Sequence, residues 1–487
     1  MIFIVRLFPE ITIKSSPVRK RLTKHLTENL RILGRRLHPK MSVASDWDKL
    51  EVRVPSDDAL LQQQFIDLLG STPGIANFSV VKVFPFVTMH DIYEHTLDEW
   101  GEELTGKTFC VRVRRTGRHE FKSIDAERYI GGGLNQNTDS AGVKLKKPDI
   151  EIHVEVKDDQ CFIVSAKHQG VGGFPVGTQE SVLSLVSGGF DSTVASYMMI
   201  RRGMRTHFCF FNLGGRAHEV GVKEIAFYLW NRFGSTHKVR FITVPFEGVV
   251  AEILDKIDPS NMGVVLKRMM LRAAERVAEK GGIQALVTGE AIAQVSSQTI
   301  PNLVVIDSVT KMLVLRPLIA VDKPDIIRQA REIGAEDFSA NIPEYCGVIS
   351  VKPSAKVNPE KLEQQEQQFD MGVLETALAQ SSVQAIDQVM ASINTQSTDE
   401  LLILNVPADS DVVIDVRHPT EVEMRPLQLP HGASIAIPFY KLSSEFPLLD
   451  AECRYLLYCD KGVMSALHAA HLADDGFANV GVYRPQP

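Results

Sequence analysis

Residues 184–193 read SLVSGGFDST, and this stretch decides the fold of the central part of the chain. The glycines Gly188 and Gly189 follow the apolar run VLSLV and let the backbone turn sharply, with no Cβ in the way of a ligand. Asp191 and Ser192 then open a helix, whose unpaired N–H groups and dipole attract anions. A buried strand, a glycine turn and a helix in this order predict a phosphate-binding loop.

The loop lacks the lysine that binds the terminal phosphates in a G-x-x-x-x-G-K-[ST] loop. We therefore expect pyrophosphate to be bound as a leaving group, with attack at the α-phosphorus producing AMP. The alternative is an ordinary tight turn capped by Asp191 or Ser192. SGGFDS favours the first interpretation because it resembles the SGGxDS signature of PP-loop ATP pyrophosphatases. This resemblance implies that Asp191 helps to bind the Mg²⁺-pyrophosphate. The residues implied to surround the phosphates are Ser187, Gly188, Gly189 and Ser192.

Strands and helices alternate over residues 178–343, which indicates a parallel sheet with crossover helices. Ligands bind at the carboxyl ends of such strands. The loop after ALVTGEA there carries Gly289, Glu290 and Gln298, and a nearby amphipathic helix carries Lys267. Lys323 precedes a proline suited to a first helical turn, so it projects from the same edge and can supply the cation that the loop lacks. An exposed lysine at a helix start is the alternative.

The segments on either side differ from this region in pattern. Residues 1–75 alternate strands and helices in the manner of a small ferredoxin-like α+β unit. Residues 76–168 carry short strands around a basic, glycine-rich stretch. Residues 355–400 are rich in Gln and Ser and predict a helical linker. Residues 401–487 alternate again and predict a small α/β domain.

Charge is distributed unevenly along the chain, whose formal net charge is -7. Residues 1–40 hold ten Lys and Arg against two Glu, whereas residues 401–487 hold six Lys and Arg against eleven Asp and Glu. This asymmetry suggests a polyanionic partner at one end and a protein partner at the other, with solvated faces of opposite sign as the alternative. No apolar stretch approaches the ~20 residues that cross a bilayer, and the first residues are too polar for a secretory signal. We expect a cytoplasmic protein with no membrane partner.

The six cysteines show no C-x-x-C pair and no zinc-type spacing. Four of them lie in or beside apolar runs and are expected in the core: Cys110, Cys161, Cys209 and Cys453. Cys346 and Cys459 lie at element ends beside glycine, where a thiol can be exposed. Cys459 stands between a strand and a helix, where the N–H groups of residues 460–465 and the helix dipole favour a thiolate or a persulfide. A buried cysteine at a strand end is the alternative.

The whole chain resembles the tRNA 4-thiouridine synthetase (tRNA sulfurtransferase, ThiI-type) family in its long form. The motifs that carry the resemblance are SGGFDS, FFNLGGRAHEVGV, MGVVLKRMM, LVTGEAIAQVSSQT, PEYCGVIS and CDKGVMS. It implies a multidomain fold of α/β and α+β units. The implied parts are an N-terminal ferredoxin-like domain (1–75), a THUMP RNA-binding domain (63–167), a PP-loop adenylation domain with a doubly wound parallel sheet (178–343), the Cys346 loop and linker (344–400) and a rhodanese-like domain (401–487).

The resemblance also implies a reaction. ATP with Mg²⁺ would activate the C4 oxygen of the uridine at tRNA position 8 as an adenylate, and Asp191 and Lys323 match important acidic and basic residues of the family. The implied ATP-binding residues are Leu185, Val186, Lys267, Gly289 and Gln298. No residue is assigned as a metal ligand.

The sulfur, by the same resemblance, comes from a cysteine desulfurase that loads Cys459 as a persulfide. Transfer to C4 displaces AMP, and Cys346 resolves the persulfide as a Cys346–Cys459 disulfide. The long form is also implicated in sulfur supply to the thiamine thiazole sulfur-carrier protein. Two alternatives stay open, namely a persulfide carrier mainly for thiamine synthesis and a PP-loop ligase for a small molecule. A homodimer is also left open.

Overall fold

The structure is a computed structural model of the chain. The described residues are 1–45, 49–213, 215–340, 342, 353–394, 402–417, 422, 425–429, 431–438, 442, 445–460, 462–474 and 476–485. The chain forms two compact units, Met1–Thr178 and Gln179–Pro487. None of the helices in these ranges is long and apolar enough to cross a membrane.

The first unit is built on one eight-stranded sheet in the order β2-β3-β1-β4-β8-β7-β5-β6. The strands are β1 (Ile2–Leu7), β2 (Ser42–Ser45), β3 (Lys49–Arg53), β4 (Ile75–Pro85), β5 (Thr108–Thr116), β6 (Gly142–Val143), β7 (Ile150–Lys157) and β8 (Gln160–Gln169). Pairing is parallel between β5 and its neighbours β6 and β7, and antiparallel elsewhere. Since β4 pairs with β1 on one side and β8 on the other, the segments 1–75 and 76–168 share a single sheet.

Two of the longer helices in the first unit, Met89–Trp100 and Ser123–Asn137, are not predicted by the sequence pattern. They are α1 (Pro9–Thr12), α2 (Ser16–Leu37), α3 (Ala59–Ser71), α4 (Met89–Trp100) and α5 (Ser123–Asn137). The helices expected from the alternating pattern of residues 1–75 are present as α2 and α3. α5 occupies the glycine-rich stretch, where Ala126, Ile130 and Leu134 are buried at i, i+4 and i+8. This apolar face compensates for three consecutive glycines, each of which costs a helix about 1 kcal/mol relative to alanine.

The second unit holds the predicted parallel sheet, in the order β13-β12-β9-β10-β11-β14. Its strands are β9 (Ser181–Leu185), β10 (Arg205–Asn212), β11 (Arg240–Pro245), β12 (Ala285–Val287), β13 (Leu313–Leu315) and β14 (Ser382–Ala385). Its helices are α6 (Phe190–Arg201), α7 (Gly215–Leu229), α8 (Glu247–Lys256), α9 (Met262–Gly281), α10 (Ile300–Asp307), α11 (Lys323–Glu332) and α12 (Glu336–Ala340). The winding direction reverses between β9 and β12, and ligands of such sheets bind at the carboxyl edge beside that reversal.

The predicted helical linker at residues 355–400 is largely helical where the structure describes it, but most of it is not a linker, because it packs into the core of the second unit. It forms α13 (Pro359–Glu366), α14 (Gly372–Ala379), β14, which is antiparallel to β11, and α15 (Val389–Asn394). Leu362 and Leu374 are fully buried in the same core as α9. Glu366, on the polar side of α13, binds Arg268 at 2.7 and 2.9 Å and Arg272 at 2.8 Å. The polar composition of the segment gives no sign that Leu362, Phe369, Leu374 and Leu378 face the core.

Glu366→Ala is expected to lower the free energy of unfolding by about 3–5 kcal/mol, because Arg268 would be left buried without a counter-charge. Burial on its own raises the pKa of Glu366, but hydrogen bonds from the two arginines outweigh it and lower the pKa. The ion pairs therefore contribute fully above the carboxyl's unfolded pKa, and the contribution is lost as the pH falls through the lower folded pKa. Urea unfolding of both proteins at neutral and acidic pH measures this. An equal difference in stability at every pH would contradict it.

A third sheet belongs to residues 401–487 and is entirely parallel, in the order β15-β19-β18-β16-β17. Its strands are β15 (Ile403–Leu404), β16 (Val412–Asp415), β17 (Ala433–Ala436), β18 (Tyr455–Tyr458) and β19 (Val480–Tyr483). The helix α16 (Val463–Asp474) connects β18 to β19. The predicted alternation is confirmed, and Cys459 directly follows the carboxyl end of β18.

Candidate active site

The phosphate loop, residues 186–193, joins β9 to α6 at the carboxyl edge of the parallel sheet. Gly188 has a φ of +84°, a left-handed conformation that residues with a Cβ rarely adopt. Ser192 fixes the turn, because its Oγ accepts a hydrogen bond from the N–H of Ser187 at 3.2 Å and donates one to the carbonyl of Gly189 at 3.2 Å. The glycine turn is therefore a rigid element between strand and helix.

A cavity of about 430 Å³ lies against this loop. The predicted ligand residues that line it are Leu185, Val186, Ser187, Asp191, Ser192, Lys267, Gly289 and Gln298. Much of the remaining wall is apolar, from Phe211, Leu213, Val264, Met270, Leu271 and Ile306. Gly188, Gly189 and Lys323 are not part of the lining. An apolar wall beside a few convergent polar groups is typical of a small-molecule site, and the volume is in the usual range.

Gly289 allows the loop after β12 to approach the phosphate loop closely. A Cβ at this position would lie 2.5 Å from the carbonyl carbon of Asp191 and 2.6 Å from the amide nitrogen of Ser192. Both of these are backbone atoms, which cannot move aside as a flexible side chain can. The two loops on either side of the winding reversal are thus in direct contact because residue 289 has no side chain.

The structure brings Lys323 and Asp191 together, as their places in the sequence pattern suggested. Nζ of Lys323, at the start of α11, lies 2.8 Å from Oδ1 of Asp191. Nε2 of Gln294 donates to the other carboxylate oxygen at 2.7 Å. A cation thus lies at the phosphate loop, although it comes from a helix 132 residues further along the chain. Gln294 was not predicted from the sequence.

Glu290 connects the predicted Lys267 to a wider set of charges. Its Oε1 accepts from Nζ of Lys267 at 2.7 Å, and its Oε2 accepts from Nε of Arg316 at 2.8 Å. Burial on its own raises the pKa of Glu290, but the charges of Lys267 and Arg316 outweigh burial and hold the pKa below its ordinary value. Arg316 carries no sequence signal beyond its place just after β13.

His218 is a buried residue of the cavity lining that the sequence pattern did not single out. It lies on α7, and its Nε2 is 2.9 Å from the carbonyl oxygen of Ser187 in the phosphate loop. Its ring meets that of Phe210 edge to face, with the centroids 4.8 Å apart. Burial lowers the pKa of His218, which favours the neutral ring at neutral pH. The contact orients the carbonyl of Ser187 from outside the loop.

Cys459 is buried rather than at an exposed element end, with 8% of its surface accessible. Gly462, at a φ of +67°, closes a turn after the cysteine, and its N–H donates to the carbonyl of Cys459 at 3.1 Å. Sγ accepts a hydrogen bond from the N–H of Ser465 at 3.3 Å, in the first turn of α16. Of the backbone N–H groups expected around the sulfur, that of Ser465 is the one that contacts Sγ in the described residues. Cys459 does not line the 430 Å³ cavity.

Three of the four cysteines expected in the core are buried, and the fourth is not. Cys110, Cys161 and Cys209 are buried, which confirms their placement in the core, whereas Cys453 is half-buried. Burial raises the pKa of Cys161 to about 11, so this thiol is a poor nucleophile. Cys346 lies outside the described residues.

Known proteins resemble the chain over its whole length. Residues 86–165 match the THUMP domain, and residues 177–371 match the family described as Thiamine biosynthesis protein (ThiI). A tRNA sulfurtransferase of Saccharophagus degradans is 64% identical over 485 residues, with 100% of both chains covered. A tRNA sulfurtransferase of Shewanella halifaxensis is 52% identical with the same coverage.

Two solved structures resemble the fold. A 4-thiouridine synthetase–RNA complex with bound ATP has a TM-score of 0.67 at 28% identity, and the match covers 79% of this chain and 99% of that chain. PH1313 from Pyrococcus horikoshii Ot3 has a TM-score of 0.50 at 19% identity, covers 68% of this chain and 99% of that chain, and supports the fold alone.

Fold, phosphate loop and sequence matches define a PP-loop protein that also carries a THUMP domain. The full-length similarity then decides among the many families that share a PP-loop. The chain belongs to the tRNA sulfurtransferase family, as the sequence motifs predicted.

Proposed function

We propose that this chain is an ATP-dependent sulfurtransferase that forms 4-thiouridine at position 8 of tRNA. The observation that carries the proposal is the Asp191–Lys323 pair at a phosphate loop with no lysine of its own, beside a cavity at the reversal of a parallel sheet. The names of the full-length relatives, and the ATP and RNA in the similar solved structure, support it.

The residues at the cavity fit ATP as the substrate. Gly188 and Gly289 keep side chains away from the phosphate loop, and the apolar wall suits a purine ring. Lys323 is already paired with Asp191, and Lys267 with Glu290, so the site has little net positive charge for a polyanion. Mg²⁺ is usually bound by one or two carboxylates together with substrate phosphates, and Asp191 is the carboxylate that would hold it here. The bound ion would neutralise charge on the departing pyrophosphate.

The reaction we propose has two stages. The C4 oxygen of the uridine attacks the α-phosphorus of ATP, which releases pyrophosphate and leaves AMP on that oxygen. The terminal sulfur of a Cys459 persulfide then attacks C4, and AMP departs with the oxygen. Cys346 attacks Sγ of Cys459, which breaks the persulfide S–S bond and leaves a Cys346–Cys459 disulfide that a cellular reductant returns to two thiols. The uridine must leave the base stack before C4 can be attacked.

The sulfur donor in this proposal is a cysteine desulfurase, which binds to a rhodanese-like domain at residues 401–487. The parallel sheet with Cys459 at the end of β18, and the N–H of Ser465 at its sulfur, support such a domain. The acidic charge of this segment suits a protein donor rather than RNA.

The RNA is bound, in this proposal, by a ferredoxin-like domain (1–75) and the THUMP domain (63–167). The match of residues 86–165 to the THUMP domain supports the second of these. Lys20, Arg21 and Lys24 are exposed on α2 and available for phosphate contacts.

Reversing charge on α2 is expected to weaken tRNA binding. Each of Lys20→Glu and Arg21→Glu should lower the affinity and reduce the slope of log K against log salt by about 0.7–0.9, since each removes one phosphate contact. Filter binding of tRNA over a range of salt concentrations measures both. Lys361→Glu, an exposed reversal on α13, is the matched control. Unchanged affinity and slope in the α2 variants would count against the phosphate contacts.

Gly289→Ala is expected to weaken ATP binding by about tenfold or more, because the new Cβ must push the backbone of Asp191 and Ser192 out of place. Overpacking of this kind also lowers the free energy of unfolding by about 1–3 kcal/mol. Calorimetric titration with ATP and thermal unfolding measure the two effects. Gly248→Ala is the control, since a Cβ there meets no atom within 4 Å among the described residues. Normal ATP affinity in Gly289→Ala would show that the contact between the loops is dispensable.

A second candidate function is sulfur supply to the thiamine thiazole sulfur-carrier protein, which the description of the matching family favours. Mass spectrometry of tRNA nucleosides from a deletion strain separates the two. Loss of 4-thiouridine on deletion is the expected result. Unchanged 4-thiouridine together with a thiamine requirement would leave the carrier role and overturn the tRNA reaction.

A further inference from the structure

Glu290 is a buried carboxylate whose two oxygens are both engaged. Its side chain is 9% exposed. Besides Lys267 on Oε1 and Arg316 on Oε2, it accepts a hydrogen bond on Oε2 from Oγ1 of Thr288 at 3.0 Å. A carboxylate held in this way is unsuited to act as a general base, because taking up a proton would weaken its contacts with both cations. The role of Glu290 therefore depends on the two cations that it binds, Lys267 and Arg316.

Lys267 and Arg316, the two cations on Glu290, face different surroundings. Lys267 lines the cavity, and in the described part of the chain Glu290 is its one partner, so two of its three N–H donors remain for a ligand. Arg316 does not line the cavity and also binds Asp307, at the end of α10, at 2.9 Å. Alternating charges thus run from the cavity wall on α9 to α10.

We propose that Glu290 is a positioning residue for ATP activation, one that fixes Lys267 at the cavity wall with donors left for the nucleotide. The inference rests on the proposed function. A free lysine side chain occupies many rotamers, and restricting it before the substrate arrives removes that entropic cost from binding. Arg316 and Asp307 in turn hold Glu290 from the side away from the cavity. This role explains why Glu290, a carboxylate, lines a cavity that we propose binds the anionic phosphates of ATP.

The test is Glu290→Gln, assayed in the full-length protein by pyrophosphate release with Mg²⁺, ATP and tRNA. The amide keeps the size of the side chain but loses the charge that holds Lys267. We expect the KM for ATP to rise about tenfold, the effect of weakening one charge-assisted contact, with a smaller change in kcat. Persulfide loading of Cys459 should stay unchanged.

Glu366→Gln is the matched control. Glu366 is also 9% exposed and also holds two cations, Arg268 and Arg272 on α9, but it does not line the cavity. Both variants should lose stability, whereas only Glu290→Gln should change the KM for ATP. An unchanged KM in Glu290→Gln, or an equal rise in Glu366→Gln, would overturn the inference.

A double variant shows whether Glu290 acts through Lys267. Lys267→Met/Glu290→Gln removes both members of the pair, and its KM should be no higher than that of Lys267→Met alone. A further rise would show that Glu290 acts independently of the lysine. Should Glu290→Gln fail to fold, Glu290→Asp replaces it: the shorter side chain keeps the charge but cannot reach both Lys267 and Arg316, and an unchanged KM for ATP would then overturn the inference. A wild-type protein that releases no pyrophosphate overturns the proposed function instead, and calorimetric titration with ATP then reads the effect of Glu290 directly.

Discussion

Cys459→Ser is expected to abolish multiple-turnover thiolation of tRNA, with a loss of about a thousandfold or more, as is usual when a nucleophile is removed. The serine oxygen can still accept the hydrogen bond from the N–H of Ser465, so the loop should keep its fold. It cannot carry a persulfide. ATP–pyrophosphate chemistry should continue, because Cys459 does not line the cavity at the phosphate loop.

Cys453→Ser is the control for this substitution, since Cys453 is a half-buried thiol close to the start of the same strand. It should thiolate tRNA at the normal rate. Quantifying 4-thiouridine by liquid chromatography over many turnovers measures both variants. Normal turnover in Cys459→Ser would show that another group carries the sulfur. Cys346→Ala is expected to block turnover too, at the resolving step.

Asp191→Ala is expected to slow pyrophosphate release by about 10²–10³-fold, the scale on which one electrostatic group at a reacting centre contributes. The substitution removes the carboxylate that we propose for Mg²⁺ and releases Lys323 and Gln294 from their fixed positions. The fold should tolerate the change, because Lys323 is partly exposed and such ion pairs contribute only about 0–1 kcal/mol. Persulfide loading of Cys459 should continue.

Asp325→Ala removes a carboxylate two residues after Lys323 on α11 and serves as the control. Asp325 lies on α11 beside Lys323, but it is exposed and pairs with Arg328 at 2.8 Å. Radiolabelled ATP followed by thin-layer separation of AMP and ADP measures adenylation in both variants. Normal AMP production by Asp191→Ala would remove Asp191 from the adenylation step.

The elements around the phosphate loop could be predicted from the sequence because local rules determine them. A glycine pair after VLSLV and a polar helix start leave few conformations, and β9 and α6 follow as expected. The packing of residues 359–391 could not be predicted, because its polar composition conceals Leu362 and Leu374 among many exposed side chains. Which face of a short helix meets a core is a tertiary property, and composition does not report it.

The residues of the candidate site likewise include some that could be predicted from the sequence and some that could not. Asp191 and Gly289 could be predicted because their motifs place them in loops at the carboxyl ends of strands. Lys267 was predicted as a nucleotide-binding residue by the family resemblance. His218 and Arg316 were missed, because a histidine on a helix or an arginine after a strand has no distinctive spacing. The positions of His218 and Arg316 at the site depend on which strands are neighbours in the sheet, and that order is set where the winding direction reverses. Burial of Cys459 is likewise a tertiary property, because it belongs to a core cluster built from several elements.

Product analysis of one complete reaction tests the central claim most directly. The purified protein is given unmodified tRNA, Mg²⁺, ATP, cysteine, a cysteine desulfurase and a thiol reductant, and nucleotides and tRNA nucleosides are quantified together. We expect AMP and pyrophosphate in equal amounts, tRNA-dependent, with one 4-thiouridine at position 8 for each AMP formed. ADP and phosphate as products, or AMP formed without 4-thiouridine, would contradict the proposal.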